Sequence, residues 1–167
     1  LQLKNAEFKI VFNDDNKFRK DGIDEVDFLI TFNPGEPLRA LSKIASGGEM
    51  SRFMLALKAL VSEKLDLQTI IFDEIDNGVS GAIAHSIAKK LKKISEKTQV
   101  LCVTHIPQVA SLADHHYRIQ KQVEGERTTT QVEELGYEGR IEEIAKMISN
   151  GRVTQASKNL AMELLRK

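Results

Sequence analysis

The sequence predicts an α/β fold: a mostly parallel sheet flanked by helices, with an antiparallel strand pair at the N-terminal end and helices at the C-terminal end. Three observations carry this. Apolar residues alternate at Phe8, Ile10 and Phe12, and again at Val26, Phe28, Ile30 and Phe32, which is the period of a strand with one covered face. Two short apolar runs, Thr69 to Phe72 and Gln99 to Val103, each lie between helical patterns, the alternation that builds parallel strands. Helical periodicity returns after a strand–turn–strand pattern near the end of the chain.

In order, Asn13-Asp14-Asp15-Asn16 reads as a turn after the first strand, and Asn33-Pro34-Gly35-Glu36-Pro37 ends the second. Met50, Phe53, Met54, Leu57, Leu60 and Val61 recur at helical spacing, predicting a helix from near Gly48 to about Lys64 with its methionines in the core. Ile83, Ile87, Leu91 and Ile94 mark a second helix whose outer face carries Lys89, Lys90, Lys92 and Lys93, a solvated basic stretch. Pro107 starts a short helix, where its missing N–H costs nothing. Tyr117 to Val123 and Arg127 to Val132 flank Glu124-Gly125-Glu126 as a hairpin. Helices over Ile141 to Ser149 and Val153 to Arg166, split by Asn150-Gly151, close the chain.

Composition narrows the class. The 167 residues suit one domain, and 24 basic against 24 acidic residues give no global sign of a nucleic-acid binder. The single Cys102, placed mid-strand as a small buried side chain, forms no internal disulfide and fits a reducing intracellular setting. No signal peptide is visible, and no run reaches the roughly 18 apolar residues that span a bilayer. The chain starts without Met and in mid-pattern, so it is expected to be an excised piece.

Three short segments carry chemistry. Ser46-Gly47-Gly48-Glu49 puts bare backbone N–H groups and a hydroxyl at the start of an amphipathic helix, where the dipole favours a phosphate. Alone, it is more simply a flexible loop and N-cap with Glu49 as a first-turn acid. Asp73 and Glu74 end an apolar strand at the edge where ligands bind in open α/β sheets. One carboxylate can hold Mg²⁺ and the other can deprotonate an attacking water. Asp76 makes three acids in four residues, a repulsion most easily relieved by a cation. His105 follows the next strand and can reach a γ-phosphate or a water, although alone it is more simply a turn histidine. The His115-His116 pair lies in a polar segment without a third ligand and reads as surface. No G-x-x-x-x-G-K-[ST] phosphate loop occurs anywhere in the chain.

Together these residues resemble a known family. Ala45-Ser46-Gly47-Gly48-Glu49 resembles the signature motif of ABC-type ATPases in its SMC-like form, and Ile70-Ile71-Phe72-Asp73-Glu74 a Walker B strand. Asp76-Asn77-Gly78-Val79-Ser80 sits where a D-loop would be, and Val103-Thr104-His105 resembles the switch-histidine loop. Asn33-Pro34-Gly35-Glu36-Pro37-Leu38, Phe72 to Gly81 and Thr104-His105-Ile106-Pro107-Gln108-Val109-Ala110 make the chain similar to the RecN-like proteins of bacterial DNA repair.

The resemblance implies the C-terminal lobe of a split ABC/SMC-type head. Residues 1–40 would be strands after a coiled coil, 41–113 the signature, Walker B, D-loop and switch histidine, and 114–167 a hairpin and terminal helices. It implies ATP and Mg²⁺ as cofactors, with Asp73 on the metal, Glu74 as general base and His105 at the γ-phosphate. Ser46, Gly47, Gly48 and Glu49 would clamp ATP on the opposite head, and Asp76 and Ser80 would make D-loop contacts. Ser80 departs from the usual D-loop Asp, and Ala45 from the Leu of many relatives. Implied partners are an N-terminal P-loop lobe of the same polypeptide, a second head in an ATP-sandwiched homodimer, and DNA, in the cytoplasm at the nucleoid and without a membrane. The chain alone is expected to be inactive. The alternatives are the nucleotide-binding half of an ABC transporter and a non-catalytic dimerisation module.

Overall fold

Alternating apolar residues make the first two strands. In a computed structural model, β1 (Glu7–Arg19) and β2 (Gly22–Thr31) pair antiparallel, and the short β3 (Arg39–Ala40) joins the outer edge of β2. The structure describes residues 3, 5–20, 22–44, 47–73, 75, 79, 81–125 and 127–166, without the side chains at 14–16 and 124. Phe8 faces Ile30, Ile10 faces Phe28 and Phe12 faces Val26, so one face of the hairpin gathers the large side chains. Phe53 of the first long helix, α1 (Gly48–Leu65), meets Phe8 at 5.4 Å between ring centroids and fixes one end of this face.

The chain does not turn at Asn13 to Asn16. β1 continues to Arg19, and its register with β2 shifts between Asp14 and Arg19. Cross-strand pairing outweighs the local turn preference, and the surplus polar residues are taken up as an irregularity in the strand. The reversal falls at Gly22, whose φ of 126° is a conformation that L side chains rarely adopt. Asn13 Nδ2 instead donates across the hairpin to Asp27 Oδ2 at 3.1 Å.

A 3₁₀ turn (Leu41–Lys43) leads toward α1, which stops where Asp66 takes the left-handed conformation (φ 50°) and donates its N–H to the Ser62 carbonyl. Next come β4 (Thr69–Phe72), α2 (Gly81–Ser95) and β5 (Gln99–Cys102). β4 and β5 pair in parallel, from Thr69 opposite Gln99 to Phe72 opposite Cys102. Ile70 and Phe72 point into the main core with Leu55 of α1 and Ala84, Ile87 and Leu91 of α2. The half-buried Cys102 packs against this core. A hydrogen bond of 3.2 Å between the buried Ser62 and Thr98 hydroxyls ties the end of α1 to the entry of β5.

The α/β architecture thus forms, with its parallel part among the described residues confined to β4 and β5; every other described strand pair is antiparallel. The one-turn helix α3 (Pro107–Ala110) leads to the hairpin of β6 (Tyr117–Glu124) and β7 (Arg127–Glu134), which turns at Gly125 (φ 64°). Helices α4 (Tyr137–Ile148) and α5 (Gln155–Leu165) close a second, smaller core of Ile141, Ile144, Ala145 and Ala161. Thr154 and Ser157 form a reciprocal capping box at the start of α5, with bonds of 3.1 and 3.0 Å.

A cavity should cost more than a lost cap in this second core. Ile144→Ala, at a fully buried site, is expected to destabilise by about 2–5 kcal/mol. Thr154→Ala should cost about 1 kcal/mol. Urea midpoints at unchanged slope measure both, and the expectation fails if the cap variant costs as much as the cavity variant.

Candidate functional site

The register of the parallel pair decides what meets at its edge. Because Phe72 lies opposite Cys102, Asp73 and Val103 leave the strands at the same level, and the Val103 N–H donates to the Phe72 carbonyl at 2.9 Å. Asp73 and His105 therefore emerge, both exposed, from the C-terminal edge of one strand pair. That edge is the ligand-binding edge of open α/β sheets. Thr104 Oγ1 accepts the Ile106 N–H at 3.0 Å, a tight turn that bounds His105. Behind it, the buried Ile106 and Val109 share the main core with Ile75 and Val79 of the acidic loop. The acidic loop and the histidine loop are thus anchored in one apolar cluster. Glu74, Asp76, Ser80 and Ser46 lie outside the described residues.

Gly47 and Gly48 stand where α1 begins. Gly47 is the N-cap, extended at φ −162° and ψ 174°, and among the described residues no side chain caps the helix. Its carbonyl accepts the first helical bond from Ser51 N–H at 3.0 Å, so the N–H groups at the preceding positions have no acceptor within the helix. A Cβ added at Gly47 would meet no atom within 4 Å. Neither conformation nor packing within the chain requires glycine there. Glu49 is exposed in the first turn, where its charge suits the dipole.

Asp73 offers a hard oxygen donor, the kind Mg²⁺ prefers, beside further acids in the sequence. Among the described residues no three potential ligands cluster closely enough to hold a metal by themselves. A groove of about 470 Å³ lies elsewhere, between α2 and Leu112, lined by His85, Lys89, Lys92, Lys93 and Glu96. Lys92 there is paired with Asp114, whose carboxyl it holds below the usual range.

Sequence reasoning missed the polar junction that follows α3. Arg140 of α4 donates to the carbonyls of Ser111 (3.3 Å), Ala113 (2.7 Å) and Asp114 (3.5 Å). His115 pairs with Glu134 at 2.7 Å. His116, expected at the surface, is half-buried instead, and its carbonyl accepts the Leu135 N–H at 2.8 Å. No periodicity marks Arg140: it is one charged residue among several on an amphipathic helix, and only the tertiary contact singles it out.

No family model matches the chain. Among curated proteins, it is 46% identical over 169 residues to the DNA repair protein RecN of Halalkalibacterium halodurans, covering 99% of this chain and 30% of that protein. It is 48% identical over 164 residues to RecN of Bacillus subtilis, covering 98% and 28%. For RecN of Vibrio cholerae the figures are 42% over 166 residues, 99% and 30%. The chain thus spans about 30% of the length of these relatives. Among solved structures, the Smc head domain with a coiled coil and joint from Pyrococcus yayanosii matches with a TM-score of 0.65 at 17% identity, over 86% of this chain and 26% of that one. A structure described as bearing on ATP-driven dimerization and DNA-stimulated activation of SMC ATPases matches at 0.58 and 17%, over 89% and 84%. This likeness establishes the fold, which the chain shares with these Smc head structures.

Burial lowers the His116 pKa below its ordinary value of 6.5, with Arg140 adding to the shift and Glu143 opposing it. The unfolded chain therefore binds this proton more readily than the folded one, so stability is present above about pH 6.5 and is lost as pH falls through the lower folded value. Urea unfolding between about pH 7.5 and 5 should show this loss, and His116→Gln should flatten it. An unchanged slope in the variant would remove His116 from the cause.

Proposed function

We propose that this chain, which belongs to the RecN family of bacterial DNA repair proteins over the stretch it spans, forms one half of an ATP-hydrolysing head. The observation that carries the proposal is the emergence of Asp73 and His105 together at the C-terminal edge of the parallel pair. Asp73 would hold Mg²⁺, which would supply positive charge against the phosphates of a bound nucleotide. Glu74, next along the same loop, orients and deprotonates the attacking water. His105, on the neighbouring loop, would contact the γ-phosphate. The shared edge of Asp73 and His105 fits a reaction in which positioning and charge stabilisation provide nearly all the catalysis.

Ser46, Gly47, Gly48 and Glu49 serve a nucleotide held by a second head. The uncapped start of α1 and the open space at Gly47 support this, since a bare backbone lets a phosphate approach the helix N-terminus closely. Asp76 and Ser80, which follow Glu74 in the sequence, would make D-loop contacts at the same interface. Two heads would then close around ATP, in a protein that acts on DNA.

The phosphate cradle comes from another lobe of the longer protein. Two features support its docking here. Ile71, Leu101 and Val103, exposed at 59%, 46% and 52%, leave one face of the parallel pair bare, although parallel strands are normally covered on both faces. An apolar groove of about 330 Å³, lined in part by Leu57, Val61, Leu67 and Ile71, runs between α1 and β4.

ATP turnover by the full-length protein tests the proposal. Glu74→Gln is expected to lower kcat by about 10²-fold or more while ATP binding persists, as for loss of a general base. The 167-residue chain alone should turn over no ATP. Unchanged turnover in the variant, or turnover by the chain alone that Glu74→Ala abolishes, would overturn the assignment.

A further inference from the structure

We infer that Arg140 is a positioning residue for His105, acting through α3 and the turn that follows it. The inference rests on the proposed role of His105 at the γ-phosphate and adds to it the element that holds the histidine loop in place.

The segment from Val103 to Asp114 is held at three points. At its start, the Val103 N–H is bonded to the Phe72 carbonyl at 2.9 Å. In its middle, Ile106 and Val109 are buried in the main core. At its end, α3 stops at Ala110, and no further helical turn supplies donors to the carbonyls of Ser111, Ala113 and Asp114. Arg140 supplies them: Nη2 donates to Ser111 at 3.3 Å and Ala113 at 2.7 Å, and Nη1 to Asp114 at 3.5 Å. A planar guanidinium spanning three carbonyls fixes orientation as well as distance. Lys92 of α2 holds the Asp114 side chain but none of these carbonyls.

α3 is only four residues long and cannot set its own direction by helical cooperativity. Its direction comes from the burial of Ile106 and Val109 and from its two ends. One end is the Thr104–Ile106 turn that carries the exposed His105; the other is the Arg140 clamp. Releasing the clamp lets α3 pivot on Ile106 and Val109, and the displacement appears at His105. The Nε of Arg140 is buried without a hydrogen-bond partner, so the side chain is packed in place and not merely resting on the surface.

The test uses the full-length protein with Arg140→Met, Arg140→Lys, His105→Ala and the double variant Arg140→Met/His105→Ala. Arg140→Met should lower kcat by about 10- to 100-fold with the KM for ATP little changed, the signature of misplaced catalytic geometry. Arg140→Lys, which keeps the charge and some of the bonds, should recover part of the loss. In the His105→Ala background the Arg140→Met change should have no further effect, because residues that act through one another are not additive. Hydrogen exchange should speed up over residues 104–113 in Arg140→Met and stay unchanged over α2 and α5.

Additive losses in the double variant, unchanged exchange over 104–113, or altered exchange with unaltered kcat would each overturn the positioning role. If His105→Ala itself leaves kcat unchanged, the role of His105 in the proposed site fails, and the positioning role with it. In that case exchange over 104–113 still reports whether the clamp orders the segment. A variant that unfolds shows fast exchange throughout, and Arg140→Lys then supplies the test.

Discussion

With Phe72 opposite Cys102 and the Val103 N–H on the Phe72 carbonyl, two strands end at one level, and most of what this chain can do depends on that pairing. A slip of one residue would send Ile70 and Phe72 to the bare face, because side chains alternate along a strand. It would also separate the acidic loop from the histidine loop along the strand axis. The core enforces the register. Phe72 is fully buried, with the Lys58 ammonium 5.4 Å from its ring centroid, and Leu55, Ala84 and Ile87 close around it with no exposed surface of their own. Burial of large apolar side chains, at about 25 cal/mol per Å², is what makes the alternative registers costly.

The same pair shows where the chain stops being self-sufficient. One face is packed; the other presents Ile71, Leu101 and Val103 to solvent. The first hairpin repeats the pattern, since Ile10, Phe12, Val26 and Phe28 sit on one face and are all exposed. Apolar surface gathered on sheet faces, as opposed to scattered over loops, is the form expected where another body packs. This agrees with a chain that spans about 30% of its relatives' length.

Polar contacts set directions more than they add stability. The exposed pair Lys158–Glu142 joins the two terminal helices at 3.1 Å, yet surface pairs of this kind are worth little in water. The buried Ser62–Thr98 bond and the Thr154–Ser157 box act differently, because each satisfies groups that would otherwise be left without partners. The ends of α1 and β5 and the start of α5 are placed by them.

Local periodicity determined which segments become helices and strands. The runs at Thr69–Phe72 and Gln99–Cys102, the helices that alternate with them and the turn at Gly125 could all be read from residue spacing, because burial of one face imposes a period on the sequence. The motif residues were legible for the same reason: a strand, two acids, a helix, a strand and a histidine lie in order along the chain. What depends on non-local pairing was not legible. Asn13 to Asn16 has turn chemistry, yet pairing with β2 carries the strand through it. His116 looks solvated in sequence, yet it is half-buried, within the electrostatic reach of Arg140 and Glu143 of α4. Arg140 carries no local signal at all. The sequence by itself determined the elements and the chemistry available at their ends. Only the tertiary structure decided that Asp73 and His105 share an edge and that a guanidinium from α4 clamps the turn after α3, because both depend on register and contact between residues far apart in the chain.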